Sequence, residues 1–245
     1  MKHHPVKPDS VHVWRGYKAA AKPYADFAQF LGTVFVPACA LLQPRAGLCA
    51  YVPSMVPQSN KPQGVPDQTA LMFWRDQTAY SDAFKKLAVR AYTNLHGDAY
   101  DTKISSAQFP VALTDAVKAE QPYFLIAQDA DWMLGNVHHL VGARPQDQTP
   151  PDFLAAIGAW AKDYATRRDS RIDNALLCAG NDYVALWEHS EVADAAFAQD
   201  TDALAALCLK QVAENYTPPA GLWDDWSGID LAAHGCINIQ LERPK

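Results

Sequence analysis

The sequence lacks most of the short signatures that announce a chemistry. It has no GxGxxG, no Walker-type phosphate loop, no GxSxG and no HExxH. Dinucleotide and nucleotide binding, nucleophile-elbow hydrolysis and zincin chemistry are therefore poor readings. It has no CxxC, and its five cysteines (Cys39, Cys49, Cys178, Cys208 and Cys236) are an odd number. A disulfide framework is not expected in a chain of this length, and buried free thiols in a reducing compartment fit better. An excess of positive charge is missing too: the formal net charge is -6, with pI near 5.7. The densest basic cluster, Arg167, Arg168 and Arg171, is interrupted by Asp169 and reads as a helix end. An extended nucleic-acid footprint is thereby excluded. No uninterrupted apolar run approaches a membrane span, and MKHHPVKPDS has no apolar core behind its charges. The expectation is a cytoplasmic protein with neither nucleic acid nor membrane as partner.

What is present is ample material for a core. The 245 residues include seven Trp and ten Tyr, enough for one large domain or two small ones. The chain also repeats itself. A shift of 126 residues carries Val11, His12 and Gly16 onto Val137, His138 and Gly142, and Asp26, Phe27 and Gly32 onto Asp152, Phe153 and Gly158. A shift of 113 carries Trp74, Ala83 and Phe84 onto Trp187, Ala196 and Phe197. The change in shift is absorbed by PSMVPQSNKPQGVPD (53 to 67), whose Pro, Gln, Ser and Gly content reads as loop.

Each half carries the same succession of elements. In the first, residues 11–17 alternate as a strand, and 22–42 are apolar at helical spacing, with Pro37 expected to kink or split the helix. Strands follow at 47–52 and 69–75. A helix from Thr78 has an expected inner stripe of Tyr80, Phe84, Leu87, Ala91 and Leu95, and an edge strand spans 107–113. In the second, NVHHLVGAR (136–144) is a strand, and Thr149, Pro150 and Asp152 open a helix with Phe153, Ile157, Trp160 and Tyr164 inward. Strands at 174–180 and 182–188 meet at Gly180-Asn181, a helix is expected over 191–213, and CINIQLE (236–242) would close the repeat. The fold class is α+β: two ferredoxin-like β-α-β-β-α-β repeats, with residues 1–10 a tail, 11–113 the first repeat, 114–131 a linker and 132–245 the second.

A sheet with helices on one face needs cover on the other, and in a duplicated chain each half can supply it. In element order the chain resembles the dimeric α/β barrel superfamily with both repeats fused. No superfamily-specific motif carries the likeness. The resemblance implies antiparallel sheets packed face to face, with a ligand between sheet and helices or inside the barrel. Members of that superfamily include small monooxygenases, cyclases, isomerases and haem enzymes, as well as proteins without known catalysis.

Four residues are the expected catalytic set: His138, His12, Arg75 and Tyr51. A strand histidine would move a proton on a small apolar or aromatic substrate, and Arg75 or Tyr51 would orient an oxygen, in an isomerisation, cyclisation, elimination or oxygen insertion. The alternatives are a non-catalytic module that binds a small ligand or self-associates into a homo-oligomer, and a haem or metal enzyme using a strand histidine. No metal ligand set is read from the sequence, and no cofactor is assigned. His138 and His139 must point to opposite faces of their strand. Glu188 and His189 do the same, so they are not a dyad by themselves. The segment LWDDWSGIDLAAHG (222–235) is expected either to cover a cavity mouth or to pack over a sheet edge.

Overall fold

The computed structural model describes residues 7–167, 171–192, 204, 208–212, 216–219, 221–234, 237 and 239–241. In chain order its main elements are β1 (Val11–Gly16), α1 (Tyr24–Phe30), a π turn (Leu31–Phe35), α2 (Val36–Leu42), β2 (Leu48–Met55) and β3 (Gln68–Trp74). Then come α3 (Gln77–Ala83), α4 (Leu87–Ala99), β4 (Ser106–Gln108), β5 (Val111–Ala112), β6 (Pro122–Ala127), β7 (Asn136–Ala143) and α5 (Pro150–Arg167). The remainder are β8 (Asn174–Ala179), β9 (Tyr183–Ser190), β10 (Cys208–Val212) and β11 (Ile239–Gln240). They fall into two compact units, one made of Ser10–Met55, Pro66–Ala107 and Asn215–Lys245, the other of Met1–Asp9, Val56–Val65 and Gln108–Glu214.

The first unit holds a five-stranded sheet in the order β11-β2-β3-β1-β4. Its central pairs, β1 with β3 and β2 with β3, are antiparallel. Leaving out β11, this is the ferredoxin-like order, in which the first and third strands are central. Even-numbered residues of β1 and β3 face the helices: Trp14, Ala70, Met72 and Trp74 join Phe27, Leu31, Phe35 and Tyr92 in one core. The odd-numbered residues of the same strands, Val11, Val13, Thr69, Leu71 and Phe73, are buried as well. Both faces of these two central strands are therefore largely out of water.

The long first helix does split near Pro37, but by a change of hydrogen bonding and not by a break. Proline has no N–H to donate, and the turn before it widens: the N–H of Val36 reaches the carbonyl of Leu31, five residues back. The Gly32 carbonyl is thereby released, and it accepts the Ile229 N–H at 2.9 Å. Gly32 also permits the approach, since a Cβ there would lie 2.0 Å from the Ile229 carbonyl oxygen. The segment expected to form a lid or edge cover thus docks on this helix, with Leu231 buried and Trp223 and Ile229 packed against the core. The helical stretch Tyr24–Ala46 is long and apolar enough, at mean hydropathy 1.6, to match a membrane span by composition. Phe27, Leu31, Phe35 and Val36 are among its buried residues and belong to the core of this unit.

The expected stripe of the next helix holds at Tyr80 and Leu95, which pack against the core, and fails between them. The segment breaks at 84–86 into α3 and α4, which resets the helical phase. Phe84 and Leu87 are exposed, and Ala79, Ala83, Val89 and Tyr92 are buried in their place. Asp76 caps α3 by accepting the Ala79 N–H at 2.6 Å.

The second unit holds a six-stranded sheet in the order β10-β7-β9-β8-β6-β5. Strands β10-β7-β9-β8 again follow the ferredoxin-like order. Helix α5 begins at the expected capping box: the Asp152 N–H reaches the Thr149 hydroxyl at 3.4 Å, which in turn bonds the Asp152 carboxylate at 2.6 Å. Its Phe153, Ile157, Ala161 and Tyr164 pack on Leu140, Ala175, Leu177, Val184 and Leu186 of the sheet.

Four expected assignments are corrected. CINIQLE does not close the second sheet: β11 pairs with β2 of the first. The fourth strand of the second sheet is β10, inside the stretch expected to be helical, and it pairs with β7. The rest of that stretch lies largely outside the described residues. The presumed linker 114–131 contains β6, which pairs with β8. Pro110 divides the expected edge strand into β4 and β5, which join different sheets.

Candidate functional site

The two strand histidines occupy matching places. His12 pairs across β1 and β3 with Met72, and Met72 pairs onward with Tyr51 of β2. His138 pairs across β7 and β9 with Glu188, and Glu188 pairs onward with Ala175 of β8. Both rows lie on the helix side of their sheets. In the second row the central residue is an acid, and it makes the site.

Glu188 is 2% exposed and His138 fully buried. Glu188 Oε2 lies 2.6 Å from His138 Nδ1. Its other oxygen accepts the Tyr164 hydroxyl at 2.6 Å. A buried carboxylate is costly unless both oxygens are bonded; here one bond comes from the neighbouring strand and one from the helix above. Because a carboxylate oxygen accepts, Nδ1 is the donor of this bond. Tyr164 belongs to the same stripe as Phe153 and Ile157, so the polar triad sits in an otherwise apolar layer.

The first row is different in kind. His12 is buried edge-on to Tyr80, with ring centroids 4.3 Å apart. Burial lowers its pKa to about 4; a hydrogen bond with the Ala107 backbone opposes that shift, and the Arg15 charge adds to it. Tyr51 lies in the same layer but serves another network. The Gln68 amide donates to its hydroxyl at 3.4 Å, while the Gln68 oxygen accepts from Tyr100 and, at 3.2 Å, from the Trp14 indole. Burial raises the pKa of Tyr51, Tyr92 and Tyr100 and pushes the Cys39 thiol up to about 12. These groups hold their protons at neutral pH.

Arg75 joins neither row. Its side chain is 62% exposed and pairs with Asp76 at 3.2 Å, a surface ion pair of small energetic weight. The structure therefore brings His12 and Tyr51 into one layer, gives His138 a carboxylate, and leaves Arg75 outside. The correspondence of Trp74 with Trp187 also fails. Trp74 faces the helices beside Tyr80, whereas Trp187 is on the opposite face of its sheet, stacked on His139 at 4.6 Å.

Sequence reasoning missed Glu188 and Tyr164 as partners of His138. The signal was available: Val184, Leu186 and Glu188 share one parity of a strand, and an acid in that series needs a buried partner. The strand pairing that supplies it was not legible in advance. A groove of about 550 Å³, lined among others by Val117, Leu154, Gly158 and Lys162, runs along another face of α5 and touches neither histidine. Among the described residues, no three of His, Cys, Asp or Glu converge as a metal site.

No protein-family model matches the chain, and no curated protein matches it. Solved structures with partial likeness include a "Putative monooxygenase" of Fusobacterium nucleatum, 13% identical, with TM-score 0.33 over 83% of this chain and 89% of that one. A "putative monooxygenase" of Lactobacillus acidophilus is 7% identical, with TM-score 0.33 over 83% and 90%. An "anthrone oxidase-like protein" is 12% identical, with TM-score 0.36 over 80% and 76%. Likeness at this level is not evidence of a shared reaction.

Proposed function

We propose that the chain is an enzyme that uses His138 to move a proton on a small, largely apolar or aromatic substrate, with Glu188 and Tyr164 as positioning residues. The observation that carries this reading is the 2.6 Å contact between His138 Nδ1 and a carboxylate whose second oxygen is itself bonded. A base held in one tautomer by an orienting acid is the minimum arrangement for general acid–base work. The surrounding Leu140, Phe153, Ile157 and Leu186 make the layer suited to an apolar body. A proton taken up by the ring from the substrate would be stabilised by Glu188 and returned to the product, so the step is neutral overall. Isomerisation, cyclisation and elimination all fit that balance. Substrate entry requires an opening movement of α5 over the sheet.

We infer that the two units are diverged repeats of one element, each with the ferredoxin-like strand order. The shared strand order and the matching rows of His12 and His138 support this.

A second reading is favoured by the completeness of burial: a non-catalytic module in which the triad only fixes α5 on its sheet. One experiment separates the two. Solvent deuterium incorporation into a panel of small aromatic ketones and phenols is followed by mass spectrometry, with His138→Gln and Glu188→Gln as controls. Incorporation by the wild-type protein that both variants lose supports the enzyme. Absence of incorporation across the panel, with both variants folded, supports the module.

A further inference from the structure

We propose that the corner where α3 gives way to α4 is an attachment surface for an anionic lipid bilayer, with Phe84 and Leu87 entering the interface and Arg45, Lys86 and Arg90 meeting the headgroups. The surface belongs to the first unit and is independent of the site around His138, which belongs to the second. It is made by the break at 84–86. A continuous helix would keep its apolar stripe inward; the change of phase turns two large apolar side chains out. Leu87 is 75% exposed and Phe84 41%. Phe84 is propped from behind, edge-on to Tyr80 at 5.1 Å, and Tyr80 packs in turn on Trp74 at 5.3 Å. Two such residues so close in the chain mark an interaction surface better than one alone. Side chains standing this far out of the surface suit a fluid interface that they can enter.

The charge around them is of one sign. Arg45, Lys86 and Arg90 are exposed, and none of them has a carboxylate partner among the described residues. Lys86 Nζ donates to the Arg45 carbonyl at 2.8 Å, which brings those two residues together. Arg90 follows Leu87 by three residues and Lys86 by four, and so shares their side of α4. No acid lies in the first turn of that helix. Lys85 and Arg75 are each paired with an acid, Asp82 and Asp76, and cancel. On a chain of net charge -6, three uncompensated cations beside two exposed apolar side chains are a local reversal of sign. An anionic surface attracts this corner and repels the rest of the chain, which orients the protein on it. Arg45 comes from the turn Pro44–Ala46, far in sequence from α4, so a search for runs of basic residues does not find the group.

The test is flotation of the whole chain with phosphatidylcholine vesicles that contain phosphatidylglycerol and, separately, with vesicles of phosphatidylcholine alone. The expected result is binding to the first only, weakening as salt is raised. Lys86→Ala should weaken it about fivefold, and Leu87→Ser about tenfold. Lys162→Ala, which removes an exposed cation of the second unit, should leave it unchanged. Because the first readout is on the wild-type protein, a misfolded variant does not decide the outcome. Absence of flotation with the anionic vesicles overturns the proposal, and so does equal flotation with the neutral ones or an equal loss in Lys162→Ala. Binding that Leu87→Ser leaves intact overturns it too; a matching affinity for poly-glutamate would then assign the corner to an acidic protein.

Discussion

The two sheets carry the same row of three positions and use it in opposite ways. In the first the row reads His12, Met72, Tyr51; in the second, His138, Glu188, Ala175. With a thioether at the centre, the first histidine has no acid opposite it in the row, and burial is the largest influence on its titration, ahead of the opposing Ala107 backbone bond and the Arg15 charge. With a carboxylate at the centre, the second histidine is oriented and the hydroxyl of the helix above is recruited. One central side chain thus divides a histidine packed on an aromatic ring from a histidine bonded to a carboxylate. Polar capacity in the first unit has moved sideways to Gln68, which ties together Tyr51, Tyr100 and Trp14.

The comparison is broken most severely at its centre. Glu188→Ala strands two buried donors and should cost about 3–5 kcal/mol of unfolding free energy. Met72→Ala, at the matching place, should cost about 2–4 kcal/mol, by cavity formation alone. Chemical denaturation of both variants checks this: the first is expected to lose more than the second.

Acid should expose the difference next. His12 has its folded pKa lowered to about 4 from an ordinary 6.5. Between those values the unfolded chain binds more protons than the folded one, so stability is full above pH 6.5 and falls as pH drops toward about 4. The loss attributable to this group is up to about 3 kcal/mol. In His12→Phe that segment of the stability–pH curve should flatten; a curve identical to the parent's would refute the assignment.

Smaller effects sharpen the outline. Gly32→Ala would push a Cβ against the Ile229 carbonyl. It should detach residues 221–234 from the π turn at a cost of about 1–3 kcal/mol, seen as a change in tryptophan emission from Trp223 and as faster proteolysis there. Thr149→Ala removes the capping hydroxyl of α5 and should lower stability by about 1 kcal/mol. If the helix clamps the triad, the Tyr164 contact should loosen with it, measurable as faster exchange of amides within α5.

Much of the fold was legible because it depends on local pattern. The alternation in VHVWRG and NVHHLVGA, the Thr149–Asp152 box and the Gly180-Asn181 turn each fix an element without reference to distant residues. What failed depends on non-local pairing. The strand at 239–240 is too short to carry its own address, and its partner β2 is far away in the chain. The α3–α4 break lies at Lys85 and Lys86, where no proline or glycine marks it. For the site, the two histidines were visible in the sequence, but the acid that distinguishes them was not tied to either. Register across β7 and β9 is set by both strands together, and a slip of one residue would have placed Glu188 on the other face. The Trp74–Trp187 match shows the same limit: similar residues at a plausible shift, on opposite faces.

The most direct test of this contrast is the protonation of the His138 ring, read from two-bond ¹⁵N–¹H correlations in histidine-labelled protein at neutral pH. The account predicts a proton on Nδ1, in a strong bond that Glu188→Gln perturbs and Met72→Ala leaves unchanged. An Nδ1 without a proton, or one indifferent to Glu188, would contradict it.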